Sequence, residues 1–215
     1  MAEVWIEAGA ERRDLFGGPR AVDASRPEPD ARYEVLERDT RGFSITYHLR
    51  DARGREWHAK IGPEAQTEVV ASRIVWGLGY HEVPSYFIER WIAVEKSKGS
   101  VLGGARFRPR ELGLKSLGSW SWQQNPFVGT RPYNGLLVVM MILNGGFVRF
   151  AYRGRHQELV DRLSADDVRW ACERVQRLSN RQLRDAFRAG NFGDEIASRF
   201  IARIRQKADE GLRIQ

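Results

Sequence analysis

Apolar Phe43, Ile45, Tyr47 and Leu49 alternate with polar Ser44, Thr46, His48 and Arg50. That two-residue period predicts a strand with one buried face. Trp57, Ala59 and Ile61 alternate in the same way with His58 and Lys60, and Asp51-Ala52-Arg53-Gly54 supplies the turn between the two runs. Tyr33, Val35 and Leu36 predict a strand ahead of both, so Tyr33 to Ile61 reads as three consecutive strands. Lys60 then shares a face with His58, opposite Trp57 and Ile61. Gly62-Pro63 stops the third strand, and proline suits a first helical turn. Val70, Ile74 and Leu78 recur at helical spacing, Ala65, Val69 and Trp76 widen the stripe, and Gly79 ends it. Ser85 to Glu95 is rich in strand formers, and a further short strand is expected around Ala105 to Arg108.

Beyond this the pattern changes period. Leu112 to Arg131 reads as a loop anchored by Trp120, Trp122 and Phe127, and Tyr133 to Asn144 as an apolar helix broken by Gly145-Gly146. Three helices are predicted after that. Ser164 caps the first, with Asp166 and Asp167 in its opening turn. Ser179 or Asn180 caps the second, which ends near Gly190. The third runs from Asp194 to Glu210 with Ile196, Phe200 and Ile204 on one face. Residues 1–32 are rich in glycine, proline and charge, and read as an extended arm pinned by Trp5, Leu15 and Phe16. The division is therefore an arm over 1–32, a β-rich lobe over 33–110 and a helical lobe over 111–215. The fold class is α+β.

The 215 residues are 42% hydrophobic and 11% aromatic, which supports a packed core. The net charge of +7 favours phosphate-bearing partners without choosing among them. From Arg149 onward 15 basic residues are interspersed with 10 acidic ones, the pattern of a solvated helical surface. Cys172 is the single cysteine, so disulfides and cysteine-based zinc sites within the chain are excluded. It reads as a small core residue. The longest apolar run, Leu136 to Leu143, is too short to span a bilayer. With no hydrophobic leader visible, the cytoplasm is the default expectation, although a trimmed exported protein would read the same.

The candidate chemistry centres on Lys60. A half-buried ammonium needs an anion, and Glu68, or Glu64 one turn earlier, lies on the helix that follows. The loop Asp39-Thr40-Arg41-Gly42-Phe43 is a second candidate, because a glycine turn can present backbone N–H groups to phosphate. On pattern alone an exposed strand lysine and an ordinary hairpin loop remain the commoner readings of both features. His48, His58, His81 and His156 show no metal spacing. Nucleophile-elbow, dinucleotide and P-loop motifs do not occur. The arginines interleaved with aromatics at Phe107 to Arg110 come with no RNA-binding signature, which argues against nucleic acid.

The run Lys60-Ile61-Gly62-Pro63-Glu64, with Glu68 and Trp76-Gly77-Leu78-Gly79-Tyr80 after it and Asp14-Leu15-Phe16-Gly17-Gly18-Pro19 ahead, resembles a bacterial family of kinase-like proteins. Asn125 to Pro132, the helix from Gly135 to Asn144, and Gly154 to Leu159 extend the resemblance to nearly the whole chain. The layout is similar to HipA-type and phosphatidylinositol 3-/4-kinase-type atypical kinases. The resemblance implies a protein-kinase-like fold, with a small β-rich N-lobe and a reduced helical C-lobe. It implies ATP as ligand, Lys60 as the phosphate-contacting lysine and Glu68 as its partner. Tyr86 to Trp91 would approach the adenine slot. In the family a catalytic loop and an Asp-Leu-Gly metal motif follow Leu-Asn. Here Leu143-Asn144 runs into Gly145-Gly146, no Asp-x-Gly triplet is read in the chain as a metal motif, and no catalytic residue is assigned. That puts Mg2+ in doubt and implies lost or very weak phosphotransfer, as in a pseudokinase or an internally deleted kinase. A shortened second lobe would also leave the apolar Gly135–Leu143 helix exposed, which favours a protein partner or self-association. The alternative reading is a non-catalytic interaction or polyanion-binding module using the basic C-terminal helices.

Overall fold

The structure, a computed structural model, describes residues 4–7, 9, 12–19, 26–110, 121–144 and 156–215. It is an α+β fold of seven strands and six helices among those residues. The glycine break after Asn144, and the join read there, lie outside the described residues.

Strands β1 (Arg32–Asp39), β2 (Ile45–Arg50) and β3 (Glu56–Ile61) form the three-stranded run, followed by helix α1 (Ala65–Gly77). Then come β4 (Tyr86–Ile88), β5 (Trp91–Glu95), β6 (Lys98–Leu102) and β7 (Ala105–Pro109). They make one sheet in the order β4-β7-β3-β2-β1-β5-β6. Only the β1–β5 pair is parallel. β5 and β7 stand four positions apart, about 19 Å in a flat sheet. Yet the Trp91 and Phe107 rings meet with centroids 5.4 Å apart. The sheet is therefore curled around an aromatic core of Tyr33, Tyr47, Trp57, Tyr86, Trp91 and Phe107.

Two details depart from the alternation. Phe43 lies in the β1–β2 loop at 90% exposure rather than on the buried face of β2. The β5–β6 hairpin is absent from the sequence reading. It turns through Lys96 and Ser97, both at positive φ, where Asn-Gly would be the recognisable signal.

α1 starts two residues later than a proline at its first position would place it, since Glu64 is its N-cap and Pro63 precedes that. Eight of its thirteen residues are buried, including Ser72 and Arg73. One stripe would not do this. α1 is covered twice, by β4 and β7 on one side and by α5 (Asn180–Ala189) on the other. Gly79, at φ 110°, turns the chain out of the helix.

The helical part comprises α2 (Arg131–Leu143), the single-turn α3 (Gln157–Val160), α4 (Ala165–Arg177), α5 and α6 (Asp194–Leu212). Thr130 caps α2, with Pro132 in its first turn. Ser164 and Ser179 cap α4 and α5, each completing a reciprocal capping box, with Asp167 and Gln182 respectively. The face of α2 expected to be open is covered. Val138, Val139 and Ile142 are buried in the main core, and α4 and α6 pack over the helix. That removes the argument for self-association through this face. Gly135 admits the Trp170 ring, which lies 2.3 Å from where a Cβ would stand. At the far end buried Lys207 donates to the Ile142 carbonyl at 3.1 Å, a cation at the negative end of α2. On α6 the buried stripe is Ala197, Ile201, Ile204 and Ala208, so Ile196 and Phe200 stand half exposed, contrary to the expected face. Cys172 is a buried core residue whose thiol is pushed up to about 12 by desolvation.

The arm is held as expected by Trp5 and Leu15. Trp5 donates from Nε1 to the Leu78 carbonyl at 2.7 Å and meets Trp170 edge-on. Leu15 is fully buried in the core shared by α1, α2 and α4–α6. Phe16 remains 40% exposed. Leu15 explains Gly77, because a Cβ at residue 77 would stand 2.9 Å from Leu15 Cδ2. Alanine normally outperforms glycine inside a helix by about 1 kcal/mol. Here Gly77→Ala is expected to destabilise by about 1–3 kcal/mol through overpacking. Urea denaturation of wild type and Gly77→Ala tests this, and a stabilised variant would refute the packing assignment.

Candidate functional site

The face of the sheet opposite the aromatic core carries a polar grid set by strand register. Thr46 pairs with Lys60 and Lys60 with Arg106; His48 pairs with His58 and His58 with Arg108. Directly paired residues share a face, so β2, β3 and β7 bring Lys60, His58, His48, Arg106 and Arg108 together. The alternation that buries Trp57, Ala59 and Phe107 forces their neighbours outward. Phe107, grouped above with the arginines around it, is itself fully buried.

At one end of the grid Lys60 meets the first turns of α1. Its Nζ lies 2.7 Å from Glu68 Oε1 and 2.9 Å from Glu64 Oε1. Glu68 also forms an ion pair with Arg106, whose Nε lies 2.9 Å from Oε2. The Ser44 hydroxyl donates to Glu64. Two cations therefore share two carboxylates over a partly buried patch, with Lys60 and Arg106 side chains 23% and 12% exposed. Burial pushes the Lys60 ammonium down, but its hydrogen bonds to Glu68 and Glu64 outweigh this and the net shift is upward. Ser44, and then Lys60, hold the Glu64 carboxyl down at about 2. Desolvation, reinforced by Arg108, lowers Arg106.

Of the residues singled out in the sequence, Lys60, Glu64 and Glu68 are in direct contact. Gly42 is not part of the cluster. It lies in the β1–β2 loop, where a Cβ would meet only the Ser44 carbonyl at 3.7 Å, and its φ is not positive. The loop reaches the cluster through Ser44 instead. Ser44 and Arg106 were missed as site residues. Their signal was present, since Arg106 alternates onto the Lys60 side of β7 and Ser44 stands two residues before Thr46, which pairs with Lys60.

Farther along the face, the His48 and His58 rings stack at 5.2 Å, nearly parallel. Glu56 binds His48 Nε2 at 3.0 Å and Arg110 Nη1 at 2.9 Å. Desolvation first, then His48 and the nearby arginines, lowers the His58 pKa. Tyr86, Ile88 and Trp91, which the resemblance places toward an adenine slot, are instead buried in the aromatic core. The chain does contain one Asp-x-Gly triplet, Asp209-Glu210-Gly211. It lies within the last turns of α6, where Asp209 accepts from Gln176. Among the described residues no three His, Cys, Asp or Glu side chains converge to hold a metal ion, and no helix is long and apolar enough to cross a membrane.

The basic C-terminal helices spend much of their charge internally. Arg169 pairs with Asp166, Arg188 with Asp185, and Arg174 and Arg177 with Glu7. Arg205 donates to the Val175 and Leu178 carbonyls. No family model, no curated protein and no solved structure matches this chain.

The depressed Glu64 carboxyl makes a pH prediction. Its ionised form is favoured in the folded state, so its contribution is complete above the unfolded carboxylate range near 4.5. That contribution is lost as the pH falls from there towards about 2. Glu64→Gln should flatten the acid limb of stability in that window and leave the slope above pH 5 unchanged. Denaturant midpoints measured from pH 2 to 7 test this. An identical acid limb in both proteins would show that Glu64 is not held by Ser44 and Lys60.

Proposed function

We propose that this chain is a kinase-like fold that binds ATP through its phosphates and whose phosphotransfer is lost or very weak. The observation that carries the reading is the 2.7 Å contact between Lys60 Nζ and Glu68 Oε1, set by a strand, a Gly-Pro stop and a helix in that order. Kinase folds use a strand lysine paired with a helix glutamate to hold nucleotide phosphates. Lys60 brings three N–H donors, and Arg106 beside it adds a planar fork suited to phosphate oxygens.

The neighbouring surface shapes the expected affinity. His58 shares the face of Lys60 two residues earlier, flanked by His48 and Arg108. Such polar walls offer a purine little apolar burial, so the phosphates supply most of the binding. Glu64 and Glu68 are already engaged by Lys60, Ser44 and Arg106, and the described residues offer no three-ligand set for Mg2+. No step of this reading therefore runs through a metal. Loss of transfer rests on the sequence. Gly145 to Arg155 contains no aspartate or asparagine, and no Asp-Leu-Gly follows. The in-line reaction would lack its positioning base and its charge neutralisation.

Calorimetric titration of ATP, with and without Mg2+, tests the reading. Binding should be measurable without the metal and at least tenfold weaker in Lys60→Met, with no sustained ATP turnover. Equal affinity in Lys60→Met would remove Lys60 from the site. Sustained turnover abolished by that substitution would show an active enzyme.

A further inference from the structure

Away from the Lys60 cluster, a cavity of about 500 Å³ opens between the arm, β4, α1 and the end of α5. Phe16, Arg26, Arg73, Tyr86 and Arg188 are among the residues lining it. Arg73 comes from the middle of α1 and is only 1% exposed. Its guanidinium lies 5.4 Å from the Tyr86 ring centroid. Its Nε and Nη1 are buried, and neither has a hydrogen-bond partner among the described residues. Gly18, at φ 76°, closes over it so tightly that a Cβ would stand 1.9 Å from Nη1.

Two further guanidiniums converge on the same rings. Arg26 lies over Tyr86 at 5.7 Å and over Phe16 at 5.6 Å, and Arg188 lies over Phe16 at 4.9 Å. Among the described residues Arg26 donates to the backbone carbonyls of Phe16 and Gly17, at 3.4 and 3.3 Å. Arg188 has Asp185 at 2.9 Å. Two carboxylates also line the cavity. Glu28 is paired with Arg53 at 2.8 Å, and Glu89 is exposed.

A lysine in this place could shed its proton. Arginine remains charged in proteins, so a buried guanidinium whose Nε and Nη1 lack acceptors among the described residues is a standing cost. An acceptor arriving from outside would remove it. We propose that this cavity is a second anion site and that it takes a small phosphate monoester. Three arginines converging on one space match a dianion better than a single carboxylate, and the planar fork of Arg73 matches two phosphate oxygens. The volume lies within the usual range for small-ligand pockets. The apolar remainder of such a ligand would lie along the ring edges of Phe16 and Tyr86. The site is independent of Lys60 and stands whether or not ATP binds there.

Thermal unfolding with inorganic phosphate, phenyl phosphate, benzoate and chloride at matched ionic strength tests the proposal. Both phosphates should raise the Tm, phenyl phosphate more, while benzoate and chloride should not. Arg73→Met should weaken the apparent affinity for phenyl phosphate at least tenfold. Arg188→Gln, at the exposed rim, should weaken it severalfold, and that variant keeps the test open if Arg73→Met does not fold. The response should persist in Lys60→Ala. A response lost in Lys60→Ala but retained in Arg73→Met would assign the phosphate to the sheet and overturn the proposal. An equal response to benzoate would overturn the ligand class. No response to either phosphate in wild type would overturn the proposal.

Discussion

Helix α1 has no face of its own to give to water over most of its length, and the rest of the molecule is arranged around that fact. Its sheet-facing side sends Glu68 to Lys60 and Arg106 and lays Arg73 over Tyr86. The opposite side places Val70, Ile74 and Leu78 in the core shared with the C-terminal helices. At Gly190 the end of α5 comes so close that a Cβ would meet Val70 at 2.7 Å. Interiors packed at this density do not deform continuously. A shift of α1 that separated Lys60 from Glu68 would therefore also disturb its contacts with α5.

The same double burial explains what the sequence could and could not disclose. Strands β2 and β3 were legible because each has one buried and one open face, which produces a clean alternation, while β1, whose register shifts between Val35 and Glu37, was legible from its strand-forming residues. The caps at Ser164 and Ser179 were legible because they are local chemistry. β6 was not, since its Lys-Gly-Ser-Val-Leu composition is mostly exposed and carries no apolar rhythm. On α6, two candidate apolar stripes lie one residue apart, and only the position of α4 and α5 selects Ile201 over Phe200. Arg73 was invisible as a site residue. An arginine among apolar neighbours on a helix reads as a surface cation, and its burial comes from β4 and from the arm, distant along the chain.

The candidate site divides in the same way. Lys60 and its carboxylates follow from three adjacent signals: strand end, stop and helix start. Arg106 joins them only through the β3–β7 pairing, which spans more than forty residues of chain and a hairpin excursion through β5 and β6. The distribution of charge was also not legible from totals. Much of the basic excess in the C-terminal helices is consumed by ion pairs and by carbonyls at helix ends. The sheet face instead carries arginines and histidines set out by register.

The arm gives this architecture a direction in time. Arg13 offers its carbonyl to Gln182, and Glu7 pairs with Arg174 and Arg177. Leu15 completes a core whose other walls include α4, α5 and α6. A ribosome adding about 5–20 residues per second needs about 10–30 s to travel from one partner to the other. For that interval Leu15 has no helical core to enter, although the strands next to it are already complete. A nascent chain therefore leaves Leu15 uncovered until α4, α5 and α6 emerge, and a chaperone that meets it early would find an apolar side chain there.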